Sequence, residues 1–218
     1  MPTPHNTEAA ATMTTAVLDT HDVAGGEAHH TSMPIDNRKL AIWTFIGSEC
    51  LFFAALISTF LVYRGQSLKG PGPKDIFSVG LVTGGTAILL FSSFFVVMAL
   101  NGAQEGNRKK LLIWLSLTVL SGLSFVAMQV YEFQHFYHEG LGYTTNLFSS
   151  SFYTLTGFHG THVAIGTLWL ATVLKDAWKG NLPKEKALNL ELAALYWHFV
   201  DVVWIIIFPV VYLMSLGS

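Results

Sequence analysis

The 218 residues are 51% hydrophobic and only 12% charged, with a mean hydropathy of +0.46 and a formal net charge of −2. An ordinary soluble domain carries about twice that share of charged residues, so a soluble globular fold is excluded, and a near-neutral chain offers no basic surface for nucleic acid. The single cysteine, Cys50, excludes a disulfide framework and reads as a buried, inert thiol within an apolar stretch.

Residues 1–37 are rich in Ala, Thr and His, with scattered charges and no sustained apolar run, which predicts a disordered cytoplasmic tail. They lack the basic and apolar regions of a signal peptide, so residue 1 is expected to remain in the mature protein. His21, His29 and His30 read as solvated tail residues rather than metal ligands. Residues 38–218 form the second predicted unit. Five apolar stretches at about 40–63, 76–100, 111–133, 151–174 and 193–216 hold 120 residues but only three of the chain's 26 Asp, Glu, Lys and Arg: Glu49, Glu132 and Asp201. Each exceeds the roughly 20 residues needed to cross about 30 Å of hydrocarbon. The predicted fold is therefore all-α, a polytopic transmembrane bundle of five helices. No remaining segment is large enough to build a separate catalytic head.

Short connections favour antiparallel packing of successive helices. Their cations orient the bundle. Arg38, Lys39, Arg108, Lys109, Lys110, Lys175, Lys179, Lys184 and Lys186 fall on one side, against Arg64, Lys69 and Lys74 on the other. The positive-inside rule then predicts a cytoplasmic N-terminus and an outside C-terminus. Gly80 and Gly84, and the strip Gly157, Gly160 and Ala164, offer small-residue faces for close helix approach. Trp43, Trp114, Trp197, Tyr63 and Tyr153 suit an interfacial aromatic belt. Pro209 is a candidate kink in the last span.

Ionisable groups in hydrocarbon need a partner or a function. Glu49 lies roughly 15 Å along the helix from Lys39, near mid-membrane. His162 and Asp201 fall at similar depth, and Glu132 lies near the outer end of the third span. His159 and His162 share a helical face, as do His198 and Asp201. The simplest arrangement turns these groups inward to hydrogen-bond one another, for instance Asp201 with a histidine of the fourth span. A metal site is the sharper alternative, since Glu132 and His135 form one Glu-x-x-His; a di-iron bundle uses two such motifs and two further glutamates. A proton pathway through Glu49 is the third reading, against which stands a Glu49 that is merely a neutral, hydrogen-bonded acid.

Several motifs in order resemble subunit III of the haem–copper cytochrome c oxidases. They are Phe45-Ile46-Gly47-Ser48-Glu49-Cys50-Leu51-Phe52-Phe53 in the first span, Glu105-Gly106-Asn107-Arg108-Lys109 in the second connection, and Gln129 with Glu132 in the third span. Thr156-Gly157-Phe158-His159-Gly160-Thr161-His162-Val163 follows in the fourth, and Tyr196-Trp197-His198-Phe199-Val200-Asp201-Val202-Val203-Trp204 opens the fifth. The resemblance covers nearly all of residues 38–218 and implies a short, five-helix bacterial form without the first two helices of the seven-helix form. It implies an accessory subunit in the bacterial plasma membrane with no catalytic residue, haem or copper of its own. Haem and copper would reside in partner subunits, and subunit I would be packed directly, beside subunit II and a small subunit IV. The implied roles are stabilising subunit I, supporting proton uptake and retaining structural phospholipid, although the family's lipid cleft is not complete within five helices. The resemblance makes Glu49, Glu132, His159, His162, His198 and Asp201 the buried polar or proton-linked set. Ser48-Glu49 and Gly157-Phe158-His159 look closer to the cytochrome c branch, with quinol the alternative donor. A free-standing proton channel is a further alternative.

Overall fold

The computed structural model describes residues 36–64, 79–180 and 184–214, so the expected tail, residues 1–37, lies almost wholly outside the described residues. Within them the chain forms five long helices, α1 (Asn37–Tyr63), α2 (Val79–Gln104), α3 (Arg108–His138), α4 (Leu147–Trp178) and α5 (Lys184–Phe208), the last continued by a π-helical turn, Pro209–Leu213. At 1.5 Å per residue these helices run roughly 37–48 Å, longer than the apolar stretches that mark them. The polar ends do not stop a helix; they only carry it out of the hydrocarbon. The start of α5 illustrates this, because Glu191 there meets Lys39 of α1 in an ion pair of 2.6 Å.

Local sequence explains the sharp connections. Gly106, at φ +69°, takes the left-handed conformation that closes the α2–α3 turn. The Asn107 side chain then caps α3 by accepting the Lys110 N–H at 3.2 Å. Asn146 caps α4 in the same way, accepting from the Ser149 N–H at 2.7 Å. Pro209 has no N–H to donate to the preceding turn. The chain answers with a π register, in which the Met214 N–H bonds to the Pro209 carbonyl.

Four of the described helices are both long and apolar enough to cross a membrane: Asn37–Tyr63, Gly80–Gln104, Arg108–His138 and Leu188–Leu213. The exception is α4, which is long enough but rich in Ser, Thr and His. Its hydroxyls bond back to carbonyls of the preceding turn, as in Thr156 to Phe152 at 2.7 Å, Thr161 to Gly157 at 2.9 Å and Thr167 to Val163 at 2.8 Å. These hydroxyls are thus satisfied within the helix. It is also an interior helix, burying thirteen residues where α1 buries only Phe53 and Phe60.

Helices α2, α3, α4 and α5 close a ring in which each packs on the next and α5 returns to α2. The first helix packs principally on α4 and α5. Successive helices are therefore neighbours from α2 onward, whereas α1 docks mainly against partners distant in sequence. The core is aromatic at its centre. Trp197 is fully buried and donates its Nε1–H to Ser92 Oγ at 2.9 Å, while Trp204 donates to Thr86 Oγ1 at 2.9 Å.

Three expectations are corrected here. Gly80 and Gly84 have no atom of the described residues within 4 Å of an added Cβ, so they bring no described helix close. The close approaches occur instead at Gly85, Gly102, Gly122, Gly160 and Gly166. A Cβ on Gly122 would stand 2.7 Å from Trp197 Cη2, and one on Gly166 would stand 3.0 Å from both Trp197 and Tyr196. Cys50 is exposed on the outer side of α1 rather than buried, because that helix turns inward only along the line of Phe53 and Phe60. Trp197 lies in the core and not in an interfacial belt, since its indole N–H finds a hydroxyl there.

Candidate functional site

The ionisable residues of the spans are arranged in pairs and small groups at helix seams. At the α1–α4 seam, Glu49 Oε2 stands 3.3 Å from His162 Nε2, with both side chains mostly buried. The other ring nitrogen, Nδ1, lies 2.7 Å from the Phe158 carbonyl. A carbonyl can only accept, so Nδ1 carries a proton, and a neutral ring would turn a lone pair toward the carboxylate. The contact is therefore favourable only when one further proton lies between Glu49 and Nε2. Phe53 packs edge-on against the His162 ring at 5.0 Å, and the Tyr196 hydroxyl donates to the His162 carbonyl at 3.1 Å.

At the α2–α5 seam, Ser93 joins two residues of α5. Its hydroxyl donates to Asp201 Oδ2 and lies 3.0 Å from His198 Nδ1. With Asp201 ionised, the serine proton goes to the carboxylate and Nδ1 donates to Ser93 Oγ, giving a relay from imidazole through hydroxyl to carboxylate. Asp201 is buried, and among the described residues its Oδ1 has no hydrogen-bond partner. This overturns the expected pairing of Asp201 with a histidine on α4. The i,i+3 spacing does bring His198 and Asp201 to one face, but that face meets α2.

His159 points elsewhere. It is 0% exposed, its ring stacks on Trp204 at 4.7 Å, and it meets Phe125 and Phe53 edge-on at 5.9 and 6.5 Å. Both of its ring nitrogens are buried without a hydrogen-bond partner among the described residues. Near the far end of α3, Glu132 is buried and accepts the Tyr212 hydroxyl at 3.2 Å. The π-helical turn after Pro209 carries that tyrosine. One turn earlier on α3, Gln129 donates to the Thr156 carbonyl at 2.7 Å, stitching α3 to α4 beside Gly160. His135 is exposed and stacks on Tyr131, so Glu132 and His135 do not converge despite their spacing. Among the described residues, no three His, Cys, Asp or Glu side chains gather as metal ligands.

Ser93, Tyr212 and the aromatic walls around His159 were not singled out from the sequence. Ser93 gave a faint signal, lying near mid-span on α2. Tyr212 became legible only through the changed register after Pro209.

Long apolar helices that enclose a few buried ionisable side chains define a polytopic integral membrane protein of the α-helical class. A family model described as cytochrome c oxidase subunit III matches residues 6–216, and the chain belongs to that family. It is 41% identical over 180 residues to the cytochrome c oxidase subunit 3 of Bacillus sp. (strain PS3), covering 83% of this chain and 87% of that protein. It is equally similar, 41% over 179 residues, to the quinol oxidase subunit 3 of Bacillus subtilis (strain 168), covering 82% and 88%. The cytochrome bo(3) ubiquinol oxidase subunit 3 of Pseudomonas aeruginosa is 37% identical over 208 residues, covering 93% of this chain and 99% of that protein.

Proposed function

We propose that the chain is an accessory subunit of a haem–copper terminal oxidase, holding subunit I in a stable form and supporting proton uptake, while electron transfer and oxygen reduction proceed on haem and copper in partner subunits. Subunit I is the direct neighbour, with subunit II, a small subunit IV and structural phospholipid in the same assembly. The assembly sits in a bacterial plasma membrane with the N-terminus of this chain cytoplasmic and its C-terminus outside. The observation that carries this reading is the seam chemistry. Glu49, Glu132, His198 and Asp201 each meet a polar partner from another helical segment, and such pairs tie helices together and hold protons.

Cytochrome c is the proposed electron donor, on the resemblance carried by Ser48-Glu49 and Gly157-Phe158-His159. Quinol is the second reading, favoured by the equal identity to a quinol oxidase subunit 3. Oxygen consumption of the purified assembly with reduced cytochrome c and with a short-chain quinol separates the two.

The experiment on the accessory role removes the chain. An oxidase prepared without it is expected to keep its haem spectrum and its initial rate of oxygen consumption, then lose activity progressively over repeated turnover. Immediate bleaching of the haem bands would contradict an accessory role.

Glu49 offers a second test. Held at the α1–α4 seam with a proton to share and part of its side chain open to the surroundings, it should react with a hydrophobic carbodiimide in intact membranes. Peptide mapping should find the adduct on Glu49 and leave buried Glu132 unlabelled. The reverse pattern would count against a proton-bearing Glu49.

A further inference from the structure

The relay at the α2–α5 seam is unfinished at one end. His198 is half-buried, its Nδ1 is taken by Ser93, and among the described residues no hydrogen bond engages its Nε2. With Nδ1 acting as donor, Nε2 of the neutral ring presents a lone pair. Its depth makes that unusual. Ser93 falls at the middle of the apolar window Gly80–Gln104, and His198 and Asp201 fall near the middle of Leu188–Leu213. Lipid headgroups lie roughly 15 Å from that level, half the hydrocarbon thickness, so a headgroup does not reach it. Hydrocarbon tails offer no hydrogen bond, and a polar atom left facing them is costly. The flanking side chains are apolar and exposed: Leu90 and Val97 on α2, Val202 and Ile205 on α5. An exposed apolar helix face with one acceptor at mid-depth suits a transmembrane neighbour that brings a polar side chain, because side chains hydrogen-bond across helices within membranes.

We propose that the exposed face along the α2–α5 seam, centred on Ser93 and His198, packs against a transmembrane helix of another subunit, and that this helix presents a side-chain hydrogen-bond donor to His198 Nε2. The inference rests on the reading of the chain as an oxidase subunit and adds the face by which it is held.

The test uses the full assembly in native membranes. A photoreactive benzoylphenylalanine replaces Val97 or Val202 on this face, or Leu123 on the outer side of α3 as a control; all three are about half exposed in the chain alone. Irradiation should link positions 97 and 202 to another polypeptide of the assembly and leave position 123 on lipid. Separately, His198→Leu should lower the haem retained per chain on purification roughly three- to tenfold, the range for one interhelical hydrogen bond in a membrane. Links to lipid alone from 97 and 202, with the assembly intact, would overturn the proposal, as would unchanged haem retention in His198→Leu. If that variant fails to accumulate, the crosslinks made with His198 in place decide. Should the unsubstituted chain bring no haem-bearing partner at all, the oxidase reading falls and this inference with it.

Discussion

Trp197→Ala should be the most damaging single substitution in the bundle, destabilising it by about 3–5 kcal/mol, the usual range for emptying a buried aromatic site. The indole is fully buried and stands over Gly122 of α3 and Gly166 of α4; a Cβ on Gly122 would collide with it, and one on Gly166 would crowd it. Its N–H also reaches Ser92 of α2. One side chain thus touches every other helix of the ring. In a bilayer the loss would come from van der Waals contact rather than from transfer out of water, because lipid tails are as apolar as the core. Unfolding in mixed micelles, followed by far-ultraviolet circular dichroism, would measure the loss. Trp197→Phe should recover most of it, and Gly122→Leu should mimic it by overpacking. A Trp197→Ala protein as stable as the parent would mean that the ring does not close on this residue.

Asp201→Ala comes next, at about 1–3 kcal/mol, the cost of leaving a buried polar group unsatisfied. The carboxylate accepts from Ser93, and Ser93 in turn holds His198. Removing it strands a hydroxyl and an imidazole at the middle of the apolar span. Asp201→Asn keeps an acceptor of the same shape and should lose less than half as much. The pair of variants separates loss of a hydrogen bond from loss of a charge. Equal, negligible losses in both would put Asp201 in water instead. Ser93→Ala should reproduce much of the Asp201→Ala effect, since the two act as one network.

The apolar runs made most of the fold legible in the sequence, because a helix is the natural way for a chain to satisfy its backbone in hydrocarbon. What composition alone could not supply was the choice of neighbours. Gly80 and Gly84 have the spacing of a contact motif yet face outward, while Gly122 and Gly166, which sit under Trp197, have no such pattern between them. Small residues signal close approach only when something large is opposite, and that depends on other helices.

The candidate site divides along similar lines. All six ionisable residues singled out in the spans are present on helices, and five of them are buried or mostly buried at seams with polar partners or aromatic walls; His198 is the half-exposed one. Helical spacing correctly put His198 and Asp201 on one face. It did not say that the face meets Ser93 on α2, nor that His159 and His162, three residues apart, would diverge into an aromatic cage and a carboxylate contact. Partners across a seam follow from rotation about each helix axis, which long-range packing decides. The π-helical turn at Pro209 is the clearest case, since one missing N–H redirects Tyr212 onto Glu132.

The most direct measurement purifies the tagged chain from its own membranes in mild detergent and records haem spectra, copper content and oxygen consumption, before and after the subunits are separated. The account predicts that the chain elutes with an oxygen-consuming, haem- and copper-bearing partner, and that after separation all haem and copper remain with the partner. Stoichiometric haem or metal on the separated chain, or elution of the chain free of any oxygen-consuming assembly, would contradict it.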